Sequence, residues 1–281
     1  MTFDLAKYKL RSQHLAYEDL PWDEVPKTRL DEEAINALGY MMDIEGYTSV
    51  YLSQLLVGGA CLEPTITGFL HVWAYEEMYH SDALRKFLES YGVSVPDSRA
   101  RSLRMRTDGL RMLNTAIIMV ASRWTRIFPA IYLTIGAVNE LTTLTGYRLL
   151  AEKTQHPVLQ ELLARIVKQE RQHYAFYRWK ASEYLASSRM ARAVTRRYLA
   201  RTFVAVGDGA KSKEEIYRLA RYLFPGDDGR QEACAIDCEI DRLPGLGGLG
   251  LLERTVRKAA GSEGTLVHTA PQVHARVGKA A

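Results

Sequence analysis

Cysteine is almost missing: Cys61, Cys234 and Cys238 are the only three in 281 residues. An odd, small number excludes a disulfide framework and a four-cysteine metal site, and it fits a reducing compartment. Strand signals are missing too, since no run of alternating β-branched residues is bounded by turn pairs. No uncharged apolar run approaches the roughly eighteen residues of a membrane span; the best is residues 127–138. The opening MTFDLAKYKL carries an acid and two lysines where a secretory signal has its apolar stretch. A soluble, cytoplasmic chain with no membrane span is therefore expected. Glycine (20) and proline (9) are few for the length, and 47% hydrophobic against 25% charged residues is the balance of a chain that buries a sizeable core. A net charge of +4 is too weak to imply a nucleic-acid partner.

What is present is apolar spacing of helical period, recurring from residue 31 nearly to residue 260. The fold class is all-α. Residues 1–28, with Pro21 and Pro26, read as an irregular N-terminal arm. A first long helix is predicted over 31–57, opened by Asp31-Glu32-Glu33 and stopped by Gly58-Gly59. A second covers 64–91, ended by Gly92 and Pro96. After an arginine-rich stretch, a helix near 108–126 gives way to a third long helix with Pro129 in its first turn, ending near 153. A fourth covers 157–187. Shorter helices are expected near 189–203, 212–223, 228–241 and 248–259. Residues 29–260 read as one domain, and 261–281, which lack periodicity, as a disordered tail. Four helices of about 24–31 residues are about 36–46 Å long at about 1.5 Å per residue. That is the scale of a large four-helix bundle, here with additional helices.

Acids near the middle of long bundle helices need a reason, because inner faces there are apolar. Glu45 lies midway along the first helix, Glu77 and His80 along the second, Glu140 along the third, and Glu170 and His173 along the fourth. Glu-x-x-His places both side chains on one helix face. The motif occurs twice, each copy following a helix with a single central Glu. Glu45 precedes Glu77 by 32 residues and Glu140 precedes Glu170 by 30. Such intervals carry the chain up one helix and back to the same height on an antiparallel partner, so all six side chains can meet at one level. Four carboxylates and two imidazoles can neutralise two divalent ions, the di-iron or di-manganese carboxylate pattern of ferritin-like bundles.

The run Trp73-Ala74-Tyr75-Glu76-Glu77-Met78-Tyr79-His80-Ser81-Asp82-Ala83-Leu84-Arg85-Lys86-Phe87-Leu88 resembles the W-x-x-E-E-x-x-H-x-D-x-L-x-K-[YF]-L segment of soluble acyl-carrier-protein desaturases. Thr143, three residues after Glu140, stands where that family places an active-site threonine, and IDRLPGLGGLGLLERTVRKA is similar to its C-terminal end. The resemblance extends over roughly residues 30–258. It implies a ferritin-like bundle holding two Fe ions, O2 as co-substrate, external electrons from a ferredoxin-like donor, and removal of two hydrogens from an acyl chain on acyl carrier protein. A homodimer is expected. Gln169 and Tyr79 depart from the family, which has an acid and an Arg at these places; Gln169 can still offer an amide oxygen to a ligand imidazole, without charge. Glu76 is expected to accept from the far nitrogen of a ligand histidine.

Related di-metal readings fit less well. A ribonucleotide reductase small subunit needs a tyrosine where Leu84 stands, a rubrerythrin needs a cysteine-rich ribbon, and an arylamine oxygenase needs a third histidine where Ile166 stands. Hydroxylation or N-oxygenation of another substrate, and a ferritin-like iron binder or peroxidase, stay open. The small residues Gly136 and Ala137, with Thr143 and Leu144, leave room beside Glu140 for a substrate or for close helix packing. Tyr47, Tyr51, Tyr174 and Tyr177 are expected near the metal level as core aromatics. Gly245 to Gly250 matches G-x-G-x-x-G but follows no strand and reads as a loop. Cys234 and Cys238 read as core thiols. His14, His71, His156, His268 and His274 have no ligand partners in register. Arg189, Arg192, Arg196, Arg197 and Arg201, with Arg99, Arg101, Arg104, Arg106 and Arg111, offer either a solvated face or a docking surface for an acidic carrier.

Overall fold

A computed structural model describes residues 3–57, 63–99 and 127–262. Cys61, Gly58-Gly59, the helix expected near 108–126, Arg101, Arg104, Arg106, Arg111, His268, His274 and the tail from 263 lie outside the described residues. Within them the chain is all-α, with no strand.

The four long helices form where the apolar spacing put them: α2 is Glu32–Val57 and α3 is Pro64–Ser90 in the scheme where α1 is Leu5–Arg11, and Ile127–Thr154 and Pro157–Ser187 are α4 and α5. Helices α3 and α5 each open on a proline, whose missing N–H has no intrahelical partner at that position anyway. His156 caps α5, its imidazole accepting from the Leu159 N–H. Two residues join α4 to α5, one of them Gln155 at φ 49°, so these two helices pack as an αα-hairpin. Helix α2 packs on α3, and α3 on α5. Helix α4 is the one described helix long and apolar enough to cross a membrane by length and composition, and 56% of its most apolar window is buried.

Four shorter helices follow, α6 Arg189–Thr202, α7 Lys213–Leu223, α8 Gly226–Asp241 and α9 Leu251–Gly261. Helix α7 is opened by a capping box in which Ser212 and Glu215 satisfy each other's backbone N–H. Gly245 to Gly250 forms the loop between α8 and α9, with Gly245, Gly248 and Gly250 at positive φ. Cys234 and Cys238 are exposed rather than in the core, because Ala233, Ile236 and Ile240 take the inner face of α8.

The N-terminal arm is more ordered than its prolines imply. It contains α1 and a 3-10 helix, Trp22–Lys27, that carries Pro26. Asp4 caps α1 at the Lys7 N–H, Phe3 packs edge-on against Phe69 of α3 and Phe176 of α5, and Tyr8 lies tilted against Phe69. Contact with those rings, which local sequence does not encode, is what orders the segment.

Candidate metal centre

Glu45 from α2, Glu77 and His80 from α3, Glu140 from α4, and Glu170 and His173 from α5 converge at one level, none more than 6% exposed. They form two overlapping sets, Glu45, Glu77, His80, Glu170 and Glu77, Glu140, Glu170, His173, within each of which the ligand atoms all lie within 4.8 Å of one another. Glu77 and Glu170 belong to both. Each set thus has one terminal carboxylate, one imidazole and two shared carboxylates, and either could hold a metal ion.

Both imidazoles turn Nδ1 inward. His80 Nδ1 lies 3.1 Å from Glu170 Oε1, and His173 Nδ1 lies 3.1 Å from Glu77 Oε1 and 3.3 Å from Glu170 Oε2. Both Nε2 atoms point outward to acceptors: His173 Nε2 donates to Glu76 at 2.7 Å, and His80 Nε2 to the Gln169 amide oxygen at 2.8 Å. A proton committed to Nε2 leaves the Nδ1 lone pair free for a metal. His80 Nδ1 and Glu170 Oε1 are buried without a hydrogen-bond partner. A cation bound to both would satisfy them, so these residues fit a metal pair.

Without metal the cluster is electrostatically crowded. Burial, then the charge of Glu77, pushes Glu45 above the usual carboxylate range; burial, then Glu170 and Glu77, does the same to Glu140. Burial would also raise Glu170, but the imidazoles of His173 and His80 beside it outweigh that and hold the carboxyl low. Burial alone would lower the imidazoles, yet Glu170 and Glu77 hold His80, and Tyr8 together with the surrounding carboxylates holds His173, above the ordinary histidine value. A pair of divalent cations would replace the protons that relieve the repulsion among these buried acids.

Neutral donors orient the terminal carboxylates. Trp73 Nε1 donates to Glu140 Oε1 at 3.0 Å, and the buried Tyr147 hydroxyl donates to Glu45 Oε1. Sequence reasoning assigned neither role. Tyr147 stands two turns after Glu140 on the same face of α4, a register that marks it in retrospect. The arm was missed as well. Glu76, 2% exposed, accepts from the Tyr8 hydroxyl and the Ser12 hydroxyl, each at 2.6 Å, and the Gln169 amide donates to the Gln13 carbonyl at 2.9 Å. Residues 8, 12 and 13 therefore hold the outer partners of both imidazoles.

A cavity of about 320 Å³ lies beside the cluster. Glu45, Glu77 and Glu140 reach it, and Trp73, Tyr51 and Tyr177 line it together with residues 203–208. Thr143 lines it. Thr134, Thr142, Thr145 and Thr154 return their hydroxyls to α4 carbonyls four residues back; among the described residues the Thr143 hydroxyl makes no such bond. Gly136 lines the cavity as well, and a Cβ there would stand 2.4 Å from the buried ring of Tyr177, so the missing side chain also serves close packing. Tyr47, Tyr51 and Tyr177 line the same cavity.

No protein-family model, curated protein or solved structure matches the chain.

The outlying candidates settle apart from this centre. His71 is exposed and bonded to the Thr67 carbonyl, and His156 bonds the Val25 carbonyl. Arg99 turns inward to Asp43, which also accepts from Lys211 at 2.6 Å. Arg192 bonds the Leu185 and Ala186 carbonyls and Arg196 those of Gly245 and Gly247, so both serve the fold. Arg197 is exposed.

Proposed function

We propose that the protein is a non-haem di-iron, O2-dependent oxidoreductase of ferritin-like bundle type that introduces a double bond into an acyl chain on acyl carrier protein. The sharing of Glu77 and Glu170 between two ligand sets carries the metal part of this reading. Oxygen and nitrogen donors without thiolate suit iron or manganese rather than a soft metal. The resemblance of residues 73–88 to soluble acyl-carrier-protein desaturases supports iron and an acyl substrate.

When bound, a reduced iron pair supplies O2 activation and hydrogen abstraction from an unactivated alkyl segment. The chain's own residues do the rest. Glu77 and Glu170, common to both ligand sets, would hold both ions, Glu45 and Glu140 would hold one each, and Trp73 and Tyr147 keep those two carboxylates in place. The cavity wall excludes water from the reacting carbons. The free Thr143 hydroxyl is placed to donate or relay a proton at the cavity face of the cluster. Removal of two hydrogens from the substrate, with two electrons and two protons from outside, reduces O2 to two waters. The electrons come from a separate ferredoxin-like protein, since three cysteines cannot build an iron–sulfur cluster. A homodimer belongs to the same reading, with Tyr75 and Met78 offering exposed apolar surface on α3, and the exposed thiols Cys234 and Cys238 suit the cytoplasm.

The cavity volume favours a second reading, hydroxylation or N-oxygenation of a compact substrate, because about 320 Å³ stands at the low end of ligand pockets. Oxygen uptake separates the readings when iron-loaded protein is given ferredoxin, its reductase and acyl-carrier-protein, acyl-CoA or free small-molecule substrates. Uptake with a product two mass units lighter than a carrier-linked acyl chain is the expected result. A product sixteen units heavier supports oxygenation, and uptake independent of every substrate would reduce the protein to an iron binder or peroxidase.

A further inference from the structure

The two imidazoles differ in what stands behind them. Behind His173 is a carboxylate, Glu76, and behind His80 an amide, Gln169. Gln13 determines the direction of that amide: its carbonyl can only accept, so Gln169 Nε2 faces it and Oε1 faces the imidazole. The charge of Glu76 meets no Lys or Arg among the described residues. Two neutral hydroxyls, Tyr8 and Ser12, and His173 itself are its partners.

A carboxylate behind an imidazole makes it a stronger donor, and a charge-assisted hydrogen bond is about twice as strong as a neutral one. The other supports of the two positions are alike. Glu77 and Glu170 are common to both, and the terminal carboxylates each receive one neutral donor, Trp73 on Glu140 and Tyr147 on Glu45. The outer partner of the imidazole is thus the difference in charge between the positions.

Resting on the two-ion reading of the cluster, we infer that the ions are held unequally: the position of His173 and Glu140 binds more tightly and fills first, that of His80 and Glu45 fills second, and the N-terminal arm sets this order through Tyr8, Ser12 and Gln13. Tyr8 and Ser12 are positioning residues, acting through Glu76 on a ligand they do not touch. The arm places a neutral group behind one imidazole and a charged one behind the other.

Anaerobic titration of the metal-free full chain with Fe2+ by calorimetry, and with Co2+ followed by its visible absorption, tests the order without turnover. Two steps differing by about 10–100-fold in affinity are expected, the range over which such outer partners act. Glu76→Gln weakens the first step toward the second. Gln169→Glu strengthens the second and leaves the first in place. Tyr8→Phe with Ser12→Ala weakens the first step partially and spares the second. Two ions taken up in a single step by the unaltered protein overturn the inequality while leaving the two-ion centre standing, as does a Gln169→Glu effect confined to the tighter step. Uptake of fewer than two ions overturns both.

Discussion

Tyr147 on α4 and Glu45 on α2 meet in the protein interior, the fully buried phenol hydroxyl donating to Glu45 Oε1. Helices distant in sequence are tied at the metal level by this bond, and it holds one terminal carboxylate in a single orientation. Tyr147→Phe keeps the ring and removes only the donor. Metal affinity should fall by about tenfold or more, with helical circular dichroism unchanged, and a calorimetric titration would measure it.

Shared and terminal carboxylates should behave differently. Glu77→Ala or Glu170→Ala removes a member of both ligand sets and should lower bound metal well below two ions per chain. Glu45→Ala or Glu140→Ala removes a member of one set and should leave about one ion. Elemental analysis of helical, folded variants decides it, and equal loss in all four would show that no carboxylate is shared.

Thr143→Val should retain metal, because the hydroxyl belongs to neither ligand set. Turnover should slow or uncouple, with more O2 consumed per product formed, by a factor on the order of 10² if the hydroxyl carries a proton. Oxygen uptake measured against product would show it, and full coupled activity would leave Thr143 a wall residue.

Metal binding should strengthen as pH rises. In the metal-free cluster Glu45 and Glu140 titrate above the ordinary carboxylate range, and His80 and His173 above the ordinary histidine range, so these ligands keep their protons to higher pH than free side chains do. A divalent ion must displace them, and lower pH therefore favours the proton. Proton release into a weak buffer during loading, about one or more per ion, with affinity lower at pH 6 than at pH 8, is the expected observation.

Arg197 is the sound test of carrier docking on α6, since Arg192 and Arg196 are tied to backbone carbonyls. Arg197→Glu should raise the KM for a carrier-linked substrate with little change in kcat, more at low salt than at high salt. Steady-state kinetics at two ionic strengths would register it, and an unchanged KM at low salt would remove Arg197 from any docking surface.

The sequence by itself determined the helices and the ligand register. A 3.6-residue apolar period and proline at helix starts are local properties, which is why α5 begins and ends where the pattern says it should. Glu-x-x-His pairs 30 and 32 residues beyond single glutamates likewise need only helix geometry and a return path to place six ligands at one height. Two further relations were legible from residue type, Glu76 behind one imidazole and the Gln169 oxygen behind the other. Tertiary structure alone decided what surrounds them. Tyr8, Ser12 and Gln13 reach Glu76 and Gln169 across 64 to 156 residues of chain, and nothing local in a short, proline-flanked arm specifies that meeting. It follows from the burial of Phe3 and Tyr8 against Phe69 and Phe176, an aromatic contact that exists only once α3 and α5 are side by side. The inward faces of Trp73 and Tyr147, the exposure of Cys234 and Cys238, and the filling of Gly136 by Tyr177 have the same origin. Helical period says which residues share a face, while the packing of one helix on another decides what that face meets.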